Sequence, residues 1–89
     1  VTELYYFFDP RDKACTVGER VAAVAAALEL PMQSLSARDA PAGRLVLAFG
    51  LLDIPAVVVV RDKHYVATID GADLRNAVRL ERRIARLIA

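Results

Sequence analysis

Cys15 is the residue best suited to chemistry in this chain, and it is the only cysteine. A thiolate is a nucleophile and a redox centre, and a helix N-terminus favours it by lowering the thiol pKa from about 8.5. The residues after Cys15 read as a helix, so a reactive thiol is one reading. A small buried core residue is the other, since free cysteine is among the most buried residue types. One cysteine cannot close an internal disulfide, and with a single histidine it cannot build a structural zinc site. No metal site is expected. His64 has no Cys, Asp or Glu at ligand spacing on its own segment and reads as an exposed turn residue. Asp9 and Asp12 could do acid chemistry or hold a cation. An acidic loop near a helix N-terminus, favoured by the helix dipole, accounts for them as well. The chain has no Gly-rich phosphate loop and no serine-based nucleophile constellation.

A second group is cationic. Arg75, Arg79, Arg82, Arg83 and Arg86 fall within one arc of about 100° if the last segment is a continuous helix. Leu74, Ala77, Val78, Leu80, Ile84, Leu87 and Ile88 fall opposite. Such a stripe suits phosphates or an acidic partner; it is also what a solvated helix face looks like. No aromatic residue interleaves with the arginines, which argues against nucleic acid. Glu81 lies inside the apolar arc, where an unpaired charge is costly to bury. Either Glu81 meets an arginine, or the helix leaves the core near Val78. In the second case Leu80, Ile84, Leu87 and Ile88 become a homodimer or partner surface.

These residues need elements to position them. The chain is 89 residues long, 56% apolar and 26% charged, which fits one globular domain spanning 1–89 and not a disordered tail. No stretch approaches the ~20 apolar residues of a membrane helix, so no membrane partner is expected. No signal-peptide pattern stands at the beginning. That favours the cytoplasm, although a targeting segment removed before Val1 would leave the same sequence. Net charge is +1, but residues 1–60 hold five basic and seven acidic residues against seven and four in 61–89.

Residues 2–8 are aromatic-rich and read as a strand buried on both faces. From Thr16 the period changes: Val21, Val24, Ala25 and Leu28 make a helical stripe, and Thr16 with Glu19 has capping-box spacing. Residues 32–35 form a weak strand and 38–43 a loop. Residues 44–49 form a short helix, with Gly50 placed as its left-handed terminal residue. The β-branched run 56–60 is a central strand. A polar turn at 61–63 leads to a strand at 64–69, and 72 onward is helical. The order β-α-β-α-β-β-α predicts an α/β fold: a four-stranded mixed sheet with helices on both faces.

That order resembles the minimal thioredoxin/glutaredoxin arrangement, and two local features carry the resemblance. Leu52-Asp53-Ile54-Pro55-Ala56 is similar to the Ile-Pro-Thr strand entry, where the proline is cis and sits beside the active site. Phe7-Phe8-Asp9-Pro10, then Asp12-Lys13-Ala14-Cys15 and a helix, resembles the aromatic strand, loop, Cys-x-x-Cys and helix of the family. Gly71 matches a glycine usual after the last strand. The resemblance implies a thioredoxin-like domain, with the first and last helices on one face and the middle helix on the other. It also exposes departures. With Cys15 in the second cysteine position, Asp12 stands where the nucleophile belongs, Arg11 replaces an aromatic, and Tyr6 stands where thioredoxin has a buried acid. In a second register Cys15 is itself the nucleophile of a monothiol variant, with a longer preceding loop. A dithiol cycle within the chain is absent in both.

Two functions follow from the resemblance. One is a non-catalytic thioredoxin-like interaction module without a cofactor. It would bind a partner protein through Asp12, Ile54 and Pro55 or through Arg79, Arg82, Arg83 and Arg86. The other is a monothiol thiol-disulfide oxidoreductase that uses Cys15 as its catalytic residue and forms a mixed disulfide with glutathione or a partner.

Overall fold

The computed structural model describes residues 1–11, 16–51 and 53–89, with the backbone alone at 40–42. Asp12 and Cys15 lie outside the described residues. The elements are β1 (Thr2–Phe8), α1 (Val17–Ala27), β2 (Met32–Ser36), α2 (Ala40–Ala48), β3 (Ala56–Arg61), β4 (His64–Asp70) and α3 (Ala77–Ile88), with a 3₁₀ turn at Gly71–Leu74 before α3. The strands lie in the order β2-β1-β3-β4. β1 runs parallel to β2 and antiparallel to β3, and β3 and β4 form a hairpin.

The alternation of side chains along β1 and β3 divides the core. Leu4, Tyr6, Val57, Val59 and Ile69 point to one face, where Val21, Val24 and Ala25 of α1 and Leu80 and Ile84 of α3 cover them. Phe7, Val58 and Val60 point to the other face, under Leu45, Val46 and Phe49 from α2 and its end. Val57, Val58 and Val59 are fully buried, as expected of a continuous β-branched run in a central strand. The hairpin turns on Asp62 (φ 51°) and Lys63 (φ 69°), a two-residue turn with both central residues left-handed, which suits the strand twist. A bulge in the β3–β4 ladder between Val59 and Val60 moves the pairing from Ala67 to Tyr65.

Both early helices end in the same way. Leu30 and Glu29 donate back to Ala25 and Ala26 at 2.8 and 3.1 Å, and Leu51 and Gly50 donate to Val46 and Leu47 at 3.0 and 3.2 Å. These are Schellman closures with one left-handed residue each: Gly50 (φ 66°) after α2, as its sequence position suggests, and Glu29 (φ 55°) after α1.

Several expectations need correction. α2 begins at Ala40, not at residue 44; Pro41 in its first turn is compatible with helix because the missing N–H would have no intrahelical partner there. Thr16 makes no side-chain cap, so the Thr16–Glu19 capping box does not form; its φ and ψ of −99° and 5° are not the extended values a cap needs. The C-terminal helix is not continuous from residue 72. Asn76 caps α3, its Oδ1 accepting from the amides of Val78 at 2.9 Å and Arg79 at 3.1 Å. The break takes Leu74 and Arg75 out of phase with α3, and the apolar arc rotates. Leu80 and Ile84 are fully buried, Leu87 and Ile88 pack on the same cluster, and Glu81 and Val78 face solvent. The residues assigned to a dimer surface are therefore core residues, and Glu81 needs no arginine.

Candidate functional site

The Ile54–Pro55 peptide bond is cis. It lies just before β3, which is anchored between β1 and β4, so a rigid central strand holds the proline. A cavity flanks it on each side. The first, of about 270 Å³, is lined by Tyr6, Phe8, Asp9, Gly18, Ser34, Ile54 and Pro55. The second, of about 350 Å³, is lined by Val17, Asp53, Ile54, Pro55, Gly71, Leu74 and Arg75. Among the described residues, no hydrogen bond engages the Ile54 amide or carbonyl.

The wall opposite the proline is aromatic. The Tyr6 and Phe8 rings stack at a centroid distance of 5.8 Å and an angle of 21°. Gly18 in the first turn of α1 lets the helix lie against them: a Cβ there would stand 3.1 Å from Cε2 of Tyr6. Sequence reasoning missed Gly18, Ser34 and Phe8 as groove residues. The available signal was a glycine inside a helical pattern, which costs about 1 kcal/mol against alanine and so asks for a packing reason.

Asp9 closes one end of the first cavity. Its Oδ1 accepts from the Arg11 amide at 2.9 Å and from Nε at 3.3 Å, and its Oδ2 accepts from Nη2 of Arg11 at 3.2 Å. Nε of Arg38 stands 3.7 Å away. The Arg11 hydrogen bonds, with the two guanidinium charges, hold the Asp9 carboxyl below its ordinary range. An acid held ionised in this way is a poor proton donor near neutrality, so Asp9 serves as an anchor for the loop.

The second cavity is pinned from α1. Nη1 of Arg20 donates to the Leu74 carbonyl at 2.7 Å, tying the 3₁₀ turn to the helix. Arg75 lines this cavity and not the face of α3.

Arg79, Arg82, Arg83 and Arg86 come together elsewhere, with Asp73 and Leu87 around an open concavity of about 410 Å³. The structure thus gathers the sequence candidates into two groups: Ile54 and Pro55 at the groove, and four arginines on α3. Neither cavity at the proline shares a residue with the arginine face. Among the described residues, no cluster of three or more His, Cys, Asp or Glu could hold a metal ion, and no helix is long and apolar enough to cross a membrane.

No family model and no curated protein sequence matches the chain. Solved structures do. Thioredoxin 1 of Thermosipho africanus superposes with a TM-score of 0.70 at 10% identity, over 98% of this chain and 99% of that one. Mitochondrial thioredoxin 3 of Saccharomyces cerevisiae gives 0.76 at 16%, over 96% and 77%. The N-terminal domain of Synechococcus elongatus SasA gives 0.69 at 24%, over 98% and 82%. With this topology and these superpositions the chain has the thioredoxin-like fold, and its single cysteine leaves it without the Cys-x-x-Cys pair of the thioredoxins.

Proposed function

We propose that the chain is a non-catalytic thioredoxin-like interaction module that takes an extended segment of a partner protein along the Ile54–Pro55 groove. The observation that carries this reading is the pair of cavities flanking a proline whose preceding residue keeps its backbone amide and carbonyl unengaged among the described residues. An extended peptide can pair with such a backbone in the manner of an added strand, while its side chains enter the pockets on either side. The Tyr6–Phe8 wall offers apolar contact, and the ionised Asp9 favours a basic or hydrogen-bond-donating side chain at that end.

The chemistry that would make the groove catalytic is reduced. A dithiol exchange needs two cysteines and the chain has one. Tyr6 carries a phenol where the resemblance places a buried carboxylic acid.

Two measurements test the proposal. Peptides selected from a random display library should bind the native domain and lose binding to a Gly18→Leu variant that remains folded, since the added side chain enters the groove. Selected peptides that ignore the variant would remove the groove from the account. In parallel, the rate of Cys15 alkylation against pH should show no reactive thiolate. Fast reaction with an apparent pKa well below about 8.5 would replace the module with the monothiol oxidoreductase.

A further inference from the structure

We propose that the arginine face of α3 is a second docking site, and that its ligand is an acidic peptide segment of a partner protein. The site stands apart from the proline groove and does not depend on it.

The charge balance of the face comes first. Arg79, Arg82, Arg83 and Arg86 are all exposed. Among the described residues, one carboxylate answers them: Asp73, with its Oδ2 3.9 Å from Nε of Arg83. Arg79, Arg82 and Arg86 have no ion-pair partner there. The four stand at i, i+3, i+4 and i+7, the spacing at which like charges on a helix repel. The fold thus sets four like charges against one carboxylate among the described residues, while five basic side chains elsewhere find partners. Arg11 and Arg38 meet Asp9, Lys63 meets Glu3, and Arg20 and Arg61 donate to the carbonyls of Leu74 and Leu87.

The chemistry of the ligand follows from what the face offers and lacks. It presents guanidinium forks and no lysine, and the planar fork pairs carboxylates bidentately. The charges spread along about 10 Å of helix, seven residues at about 1.5 Å each, which suits several carboxylates in line. A compact phosphate would want backbone amides at the helix start, but the amides of Val78 and Arg79 are spent on Asn76. A single nucleic-acid strand would want aromatic platforms, and the lining holds none. A membrane surface would want the apolar face of the helix, and Leu80 and Ile84 are fully buried in the core. The exposed Val78 and the half-buried Leu87 border the arginines and give an acidic segment apolar margins to rest on.

The test is a titration of the isotope-labelled domain with a short glutamate-rich peptide at low salt, followed by amide NMR. Single-stranded oligothymidylate and inorganic triphosphate serve as competing probes. The expected result is a set of shifts confined to Asp73 and the 79–87 segment. The Arg82→Ala/Arg86→Ala double variant should weaken binding by about fivefold to tenfold, as the loss of two partly screened ion pairs implies, and added salt should weaken the native complex too. Both side chains are exposed, so the variant keeps the native spectrum elsewhere. No shifts on α3, shifts indifferent to the double variant, or tighter binding of the oligonucleotide or triphosphate than of the peptide would each overturn the proposal.

Discussion

Tyr6 and Phe7 are neighbours on β1 and enter different cores. Tyr6 joins a cluster in which α1 and α3 close over the sheet, with eleven buried residues drawn from six elements. Among the described residues Phe7 joins Val58 and Val60 as buried members, under half-buried Tyr5, Leu35, Leu45, Val46, Phe49, Leu51 and Ile54. One short helix covers that second face. Its outer side leaves Leu47 83% exposed, and Tyr65, stacked on Phe49 at 5.6 Å, is 49% exposed. The difference teaches where stability and adaptability sit. The face under two helices anchors the strands that hold the proline. Among the described residues the face under α2 has fewer buried members, and it is expected to open at lower free energy.

The largest expected effect tests this contrast directly. Ile84→Ala, at a fully buried position, should destabilise the domain by about 2–5 kcal/mol through lost transfer energy and a residual cavity. Leu45→Ala, at a half-buried position, should cost about 1 kcal/mol, since less area returns to water and the site is already open. Urea unfolding of the two variants measures both. Equal losses would break the comparison, because α2 would then carry as much of the core as α3.

Asn76 decides how α3 meets the stronger face. Replacing it with alanine leaves the amides of Val78 and Arg79 without their cap and should cost about 1 kcal/mol, read as a lower thermal midpoint without a change in the sheet. The same residue marks the limit of what was legible. The strands, their sequence along the chain and the Ile54–Pro55 element could be read because continuous aromatic and β-branched runs and a resemblance point to them. The break at Asn76 could not, because Leu74, Arg75 and the residues of α3 fit a single helical period. A period test is blind to one residue that leaves the helical region. The consequence of that blindness was a misplaced apolar arc, with Glu81 inside it and, in one of the two alternatives, Leu80 and Ile84 on a partner surface. The cue lay in residue type, since asparagine is a favoured cap. The groove was partly legible: Ile54 and Pro55 by resemblance, but not Gly18, whose role depends on a ring from another element. For Asp12 and Cys15 the sequence remains the whole basis.

The two Schellman ends offer a finer comparison between the faces. α2 closes on Gly50 and α1 on Glu29, both left-handed. A side chain pays a steric cost in that region that glycine does not, so Glu29→Gly should stabilise the domain by about 0.5–1 kcal/mol after the added freedom of the unfolded chain is subtracted. Gly50→Ala should do the reverse by a similar amount. Both are read from chemical unfolding midpoints. A neutral Glu29→Gly would mean that the exposed loop after α1 relaxes and carries no strain.

The smallest effect is expected where the two faces are tied together. Asp9 follows β1 at the rim of the proline groove, and its partner Arg38 comes from the segment leading into α2. Because Arg11 and Arg38 lower the Asp9 pKa in the folded state, its contribution to stability is full above the ordinary carboxylate value near 4. It is lost as pH falls through the lower folded value. The window therefore lies below about pH 4 and not near neutrality. The pair is solvent-screened, so salt should shrink the effect. Urea midpoints of the native domain should fall between pH 5 and pH 3 by more than those of Asp9→Asn. The difference should narrow in high salt. Parallel acid curves for the two proteins would show that Asp9 positions the loop through geometry alone, and that the groove rim and the α2 face are coupled by packing and not by charge.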